Sequence, residues 1–106
     1  MGNVVIVAYR PKKGCADQLL ELAKDHAPYL RRLGLVTERP AQILRAQNGV
    51  LIEVFEWKNG AMAQAHENSD VQSLWEKYAL VCDYVPLNKL PEAGDLFAQF
   101  QPIAQS

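Results

Sequence analysis

At 106 residues the chain has the length of a single domain, residues 1–106. Hydrophobic residues make up 49% of it, more than one small core readily hides, so a second buried surface such as a homodimer interface is expected. Eleven basic and twelve acidic residues are scattered and nearly cancel, which leaves no electrostatic footprint for a phosphate backbone and argues against nucleic acid.

Cys15 and Cys82 stand apart, outside any Cys-x-x-Cys spacing, and read as reduced, small apolar residues in a cytoplasmic protein. The apolar run in "MGNVVIVAYR" is short for a signal peptide and has no basic residue before it. No segment approaches the roughly 20 apolar residues that span a bilayer, so no membrane partner is expected.

In chain order, Val4 to Ala8 is a β-branched run apolar on both faces, the pattern of a central strand. From Cys15 to Leu33 the period becomes helical: Ala16, Leu19, Leu20, Ala23, Ala27 and Leu30 form one stripe. Pro28 predicts a kink or restart there, and Gly34 is placed to end the helix. Ala41–Ala46 and Val50–Trp57 read as two strands joined by Asn48-Gly49, the pair a type I′ turn demands. That turn sets Leu44 opposite Glu53 and Gln42 opposite Phe55, with Glu53 on the face of Leu51, Phe55 and Trp57.

A second helical region follows in two pieces, Ala61–Glu67 and a longer one capped by Ser69 or Asp70. The stripe of the longer piece is Val71, Leu74, Trp75, Tyr78, Val81 and Cys82. "VPLNKLPEAGD" reads as a loop, and Leu96–Ile103 as the closing strand. Strand–helix–strand occurs twice, so the predicted fold is α+β: a ferredoxin-like split βαβ arrangement, with a four-stranded antiparallel sheet and both helices on one face.

Several residues invite chemistry. Glu53 puts a carboxylate in the middle of a central strand, which is costly unless it is paired. It is either a general acid or base, or a structural group paired with Gln42 or with its symmetry mate in a dimer barrel. His26 lies near the first helix stripe and either enters a pocket or is a satisfied buried His. Tyr9 and Arg10 end the first strand, where Arg10 can hold a ligand carboxylate or stand in solvent. Trp57, Trp75 and Tyr78 are core residues or, as pocket walls, favour an apolar ligand. His66, Glu67 and Asp70 lack a second His or Cys nearby, so no metal is expected, and no cofactor-binding signature appears.

The run Trp57, Lys58, Asn59, Ala61 or Ala65, His66 and Ser69 resembles the dimeric α+β barrel superfamily, in particular the antibiotic-biosynthesis-monooxygenase-like group. The resemblance covers nearly the whole chain in element order, although its motif is short. It implies a homodimer formed through the open sheet face and an apolar pocket between sheet and helices. It also implies small-molecule chemistry run without metal or cofactor, and it raises His66 as a polar group. The His66 alternative is structural: tying down the helix break through Asp70. Heme-degrading members place a Trp, a His and an Asn where this chain has His66, Glu76 and Val7, so heme chemistry is not expected. A second His that some branches carry is Val71 here.

Three readings therefore stand. One is a cofactor-independent monooxygenase-like enzyme using His66 or Glu53, with Trp57, Trp75 and Tyr78 shaping the pocket. A second is a binding module for an amphipathic molecule, fatty-acid-like or polyketide-like, whose head meets Arg10 or His66. The third is a purely structural dimer.

Overall fold

The two most apolar runs, one from each strand–helix–strand unit, pair with each other. In the computed structural model, which describes residues 2–105, β1 (Gly2–Pro11) runs antiparallel to β3 (Leu51–Lys58) from Gly2↔Lys58 to Tyr9↔Leu51. β4 (Cys82–Val85) flanks β1, β2 (Gln42–Arg45) flanks β3, and β5 (Gln101–Pro102) adds a short edge to β2. The sheet order is β4-β1-β3-β2-β5, antiparallel throughout. β1 and β3 are central, as their β-branched composition implies. The architecture is α+β, with five strands where the sequence suggested four.

The extra strand comes from two misplacements. The fourth strand is Cys82–Val85, which follows its helix with no intervening Gly or Pro to mark the change. Cys82 therefore leaves the helical stripe; its backbone is extended at φ −154° and its N–H still reaches Tyr78 O. The expected last strand over Leu96–Ile103 shrinks to Gln101–Pro102. Pro102 cannot donate to a ladder, which confines it to an edge, and Leu96 and Phe97 stand 98% and 86% exposed.

The β2–β3 hairpin differs from expectation by one residue. Ala46 N–H donates to Val50 O, and Gly49 N–H donates to Ala46 O. The loop is thus Gln47-Asn48-Gly49, a turn followed by a left-handed glycine at φ +88°. A type I′ turn needs positive φ at Asn48 as well, and among the described residues only glycines adopt it. The one-residue slip moves Gln42 to the other face and puts Ile43 opposite Glu53. Gln42 is therefore no partner for Glu53.

α1 (Ala16–Arg32) continues through Pro28 without a break. Pro28 lies on the exposed side of the helix, so the Lys24 carbonyl it fails to serve is open to water. Leu35 N–H to Leu30 O and Gly34 N–H to Arg31 O close the C-terminus, with Gly34 at φ +79° as expected. α2 (Ala61–Glu67) and α3 (Ser69–Val81) are separated at Asn68. Asn68 itself is the cap, its Oδ1 accepting from Asp70 N and Val71 N at 2.9 and 3.1 Å. Neither Ser69 nor Asp70 takes that role.

Alternation divides the sheet into two faces. Tyr9, Ile43, Leu51, Phe55 and Trp57 meet Leu19, Ala23, Ala27 and Leu30 of α1 and Val71, Tyr78 and Val81 of α3. Glu53 lies on this helix-covered face, so its burial needs no partner subunit. On the outer face, Ala8, Val50, Ile52 and Val85 are covered by Leu90, with Leu44, Val54 and Phe100 beside them. The short turns Leu87–Lys89 and Pro91–Gly94 supply that cover. Val4 and Ile6 of β1 remain 53% and 49% exposed on the outer side. No helix is long and apolar enough to cross a membrane among the described residues.

Candidate functional site

The helix face is not filled everywhere. A cavity of about 210 Å³ opens between the sheet and the three helices. Its floor is Val5, Val7 and Tyr9 of β1 with Phe55 and Trp57 of β3, all presented by strand alternation. His26 enters from α1, Met62 and His66 from α2, Trp75 from α3 and Tyr84 from β4. Met62, His66 and Tyr84 are exposed and mark its mouth.

Glu53 lies behind this wall, 1% exposed. Its two carboxylate oxygens are both engaged. Tyr9 donates its hydroxyl to Oε1 at 2.7 Å, and His26 Nδ1 lies 2.8 Å from Oε2. His26 is itself 3% exposed. Trp75 Nε1–H donates to His26 Nε2 at 3.2 Å, so that nitrogen carries the ring's lone pair. The proton of the neutral imidazole is then on Nδ1, donated to Glu53. Four side chains from four elements thus form one directed chain, Trp75 to His26 to Glu53, with Tyr9 donating from the other side.

Aromatic edges hold this chain in place. His26 meets the rings of Phe55 and Tyr78 edge-on at 5.4 and 5.2 Å, and Tyr78 lies 4.9 Å from Tyr9. Burial first, and then the charge of Glu53, raises the Tyr9 phenol well above its ordinary value, which keeps it a donor. Tyr78 is raised by the same two causes in the same order. Tyr84, half in solvent, is pushed up to about 12, chiefly by burial.

His66 is a different kind of group. It is exposed, and its Nδ1 lies 2.8 Å from Met62 O, one helical turn earlier. A carbonyl only accepts, so Nδ1 carries the proton and the neutral ring leaves its Nε2 lone pair uncommitted. Its ring packs at 5.0 Å against Trp75. It makes no bond to Asp70; the helix break is held instead by Asn68 and by Gln72 Nε2, which donates to His66 O.

Of the residues singled out in the sequence, His66, Trp57, Trp75, His26 and Tyr9 all line this cavity. Glu53 and Tyr78 stand immediately behind it, each in contact with His26. Arg10 does not join them; it is exposed and lies opposite Asp83 on β4. Tyr84 and Met62 were missed. Tyr84 was lost with β4, although an aromatic and a Val between Cys82 and Pro86 were a usable strand signal. Nothing in the local sequence marks Met62. The Glu53–His26 pairing was also missed, yet its signal existed: a carboxylate and an imidazole, each on an apolar face, each needing a partner.

The arrangement can seat a small apolar molecule and offer it imidazole nitrogen. A carboxylate fixed to the far nitrogen of an imidazole orients the ring and stabilises the cation formed when the near nitrogen takes a proton. No group of three or more His, Cys, Asp or Glu converges as a metal site among the described residues. Comparison with family models, with curated proteins and with solved structures finds no match to this chain.

Proposed function

We propose that this chain is a small-molecule enzyme of the monooxygenase-like kind its sequence resembles, working without metal or tightly held cofactor on an aromatic substrate seated in the cavity. The observation that carries this reading is the buried Glu53–His26 pair, bonded at 2.8 Å on the cavity wall. His26 takes a substrate proton at Nε2 after the Trp75 indole yields that position. Glu53 balances the imidazolium, and Tyr9 fixes the carboxylate. The electron-rich carbanion then supplies electrons to dioxygen, so that a ring CH₂ and O₂ become C=O and H₂O. The protein contributes orientation, exclusion of water and one proton acceptor.

The fold component of the proposal is a ferredoxin-like core, β4-β1-β3-β2, with β5 as an addition at the β2 edge. The outer face, where Val4 and Ile6 are half-exposed in a central strand, then pairs with a second copy to close a barrel. Sedimentation of Ile6→Lys tests this: the wild type is expected to run as a dimer and the variant as a monomer. A monomeric wild type overturns it.

The catalytic reading is tested by oxygen uptake over a panel of hydroxylated arenes and one- or two-ring compounds with a benzylic CH₂. His26→Gln is expected to lower kcat/KM about 10²- to 10⁴-fold while binding persists. One observation favours a second reading, a binding module. The Trp75 N–H already occupies His26 Nε2, so both nitrogens of that ring are satisfied. Tight binding with no oxygen uptake from any compound would select the module.

A further inference from the structure

The polar character of the cavity wall is one-sided. Among the described residues no Lys or Arg lines it, and the carboxylate of Glu53 stands behind it, bonded to two lining residues. An anionic head entering there would lose its hydration, meet no cation and approach a buried negative group. The polar side-chain atoms of the wall are nearly all spent. Tyr9 gives its proton to Glu53, and Trp75 gives its proton to His26. His26 uses both ring nitrogens. Trp57 Nε1–H is the exception, without a hydrogen-bond partner, but it is buried out of reach of solvent. At the mouth, Tyr84 has its hydroxyl, and His66 keeps an uncommitted lone pair on Nε2, because Met62 O fixes its proton on Nδ1.

We propose that the cavity selects a neutral, flat molecule of one or two rings that carries a hydrogen-bond donor, an O–H or N–H given to His66 Nε2, and that it rejects acids of the same size. The inference rests on the reading of this cavity as the ligand site, and it makes His66 the specificity-determining residue, distinct from the proton acceptor His26. Size points the same way as charge. An apolar protein cavity of about 150 Å³ takes up benzene, so about 210 Å³ suits one or two fused rings and not three or four. Rings of Phe55, Trp57 and Trp75 supply flat walls for such a molecule. A fatty-acid-like ligand, whose head is a carboxylate, is the class this wall excludes.

The test uses three probes of nearly one shape, indole, indene and indole-2-carboxylate, titrated by calorimetry into the wild type and into His66→Phe. Indole is expected to bind about three- to tenfold more tightly than indene, the worth of one hydrogen bond, and the carboxylate more weakly than either. In His66→Phe, indole is expected to fall to the affinity of indene while indene is unchanged. His66→Gln, which retains an acceptor, is expected to recover part of the preference. If indole and indene bind the wild type equally, or the carboxylate binds best, the inference is overturned while the cavity remains a ligand site. If none of the three binds, the ligand-site reading falls with it.

Discussion

The two histidines of this chain lie on either side of one indole and have little else in common. His26 is 3% exposed, bonded through both nitrogens, and coupled to a carboxylate in the centre of the sheet. His66 stands at the cavity mouth with one nitrogen tied to its own helix and the other uncommitted. The same side chain is an integral part of the core in one place and an adjustable surface group in the other. What separates them is burial: at His26 each unmade bond strands a polar atom away from water, and at His66 solvent fills the gap.

The largest effect should come from breaking the buried half of this comparison. His26→Ala leaves Glu53 with Tyr9 as its one partner, and should cost about 3–5 kcal/mol in urea unfolding. Adding Glu53→Leu should recover part of that loss, because removing both partners strands no charge. A double variant no better than the single one would mean that Glu53 is not held as described.

A second effect is read by raising pH. Tyr9, Tyr78 and Tyr84 all have phenols held above the ordinary value of 10.0, burial being the first cause in each. Their unfolded counterparts lose protons first as pH rises through 10. The stability they contribute is therefore fully present below that pH and is lost progressively above it. Unfolding free energy should fall from about pH 10 upward; a flat profile to pH 12 would contradict the buried tyrosine cluster.

Smaller again is the effect at the helix break just after His66. Asn68→Ala removes the acceptor for two α3 amides and should cost about 1 kcal/mol. His66→Ala, at an exposed position, should stay within about 0.5 kcal/mol of the wild type. If His66→Ala approached His26→Ala in cost, the contrast between the two sites would collapse.

Much of this was legible in the residues. β1, α1, β3 and the broken second helical region follow from periodicity, because each has a strong apolar pattern and an evident stop such as Gly34 or Gly60. Five of the residues singled out for a pocket do meet at one cavity, since strand alternation and helix stripes fix which side chains face inward. The hairpin register was not legible. Asn48-Gly49 is compatible with two loop lengths, and the choice between them depends on packing of both sheet faces, which local sequence does not encode. The same slip supplied a false partner for Glu53, because a shift of one residue exchanges Gln42 for Ile43 on its face. β4 was hidden for another reason: α3 passes into it without a breaker, and the helical period simply overran Cys82.

The account turns on one directed hydrogen-bond chain, and the imidazole nitrogens report it directly. A long-range ¹H–¹⁵N spectrum of the protein at neutral pH should show His26 as the Nδ1–H tautomer, with its signals perturbed when a small arene enters the cavity and reset by Glu53→Gln. An Nε2–H tautomer, or His26 signals indifferent both to Glu53→Gln and to every ligand that binds, would contradict the assignment of His26 as the proton acceptor of this site.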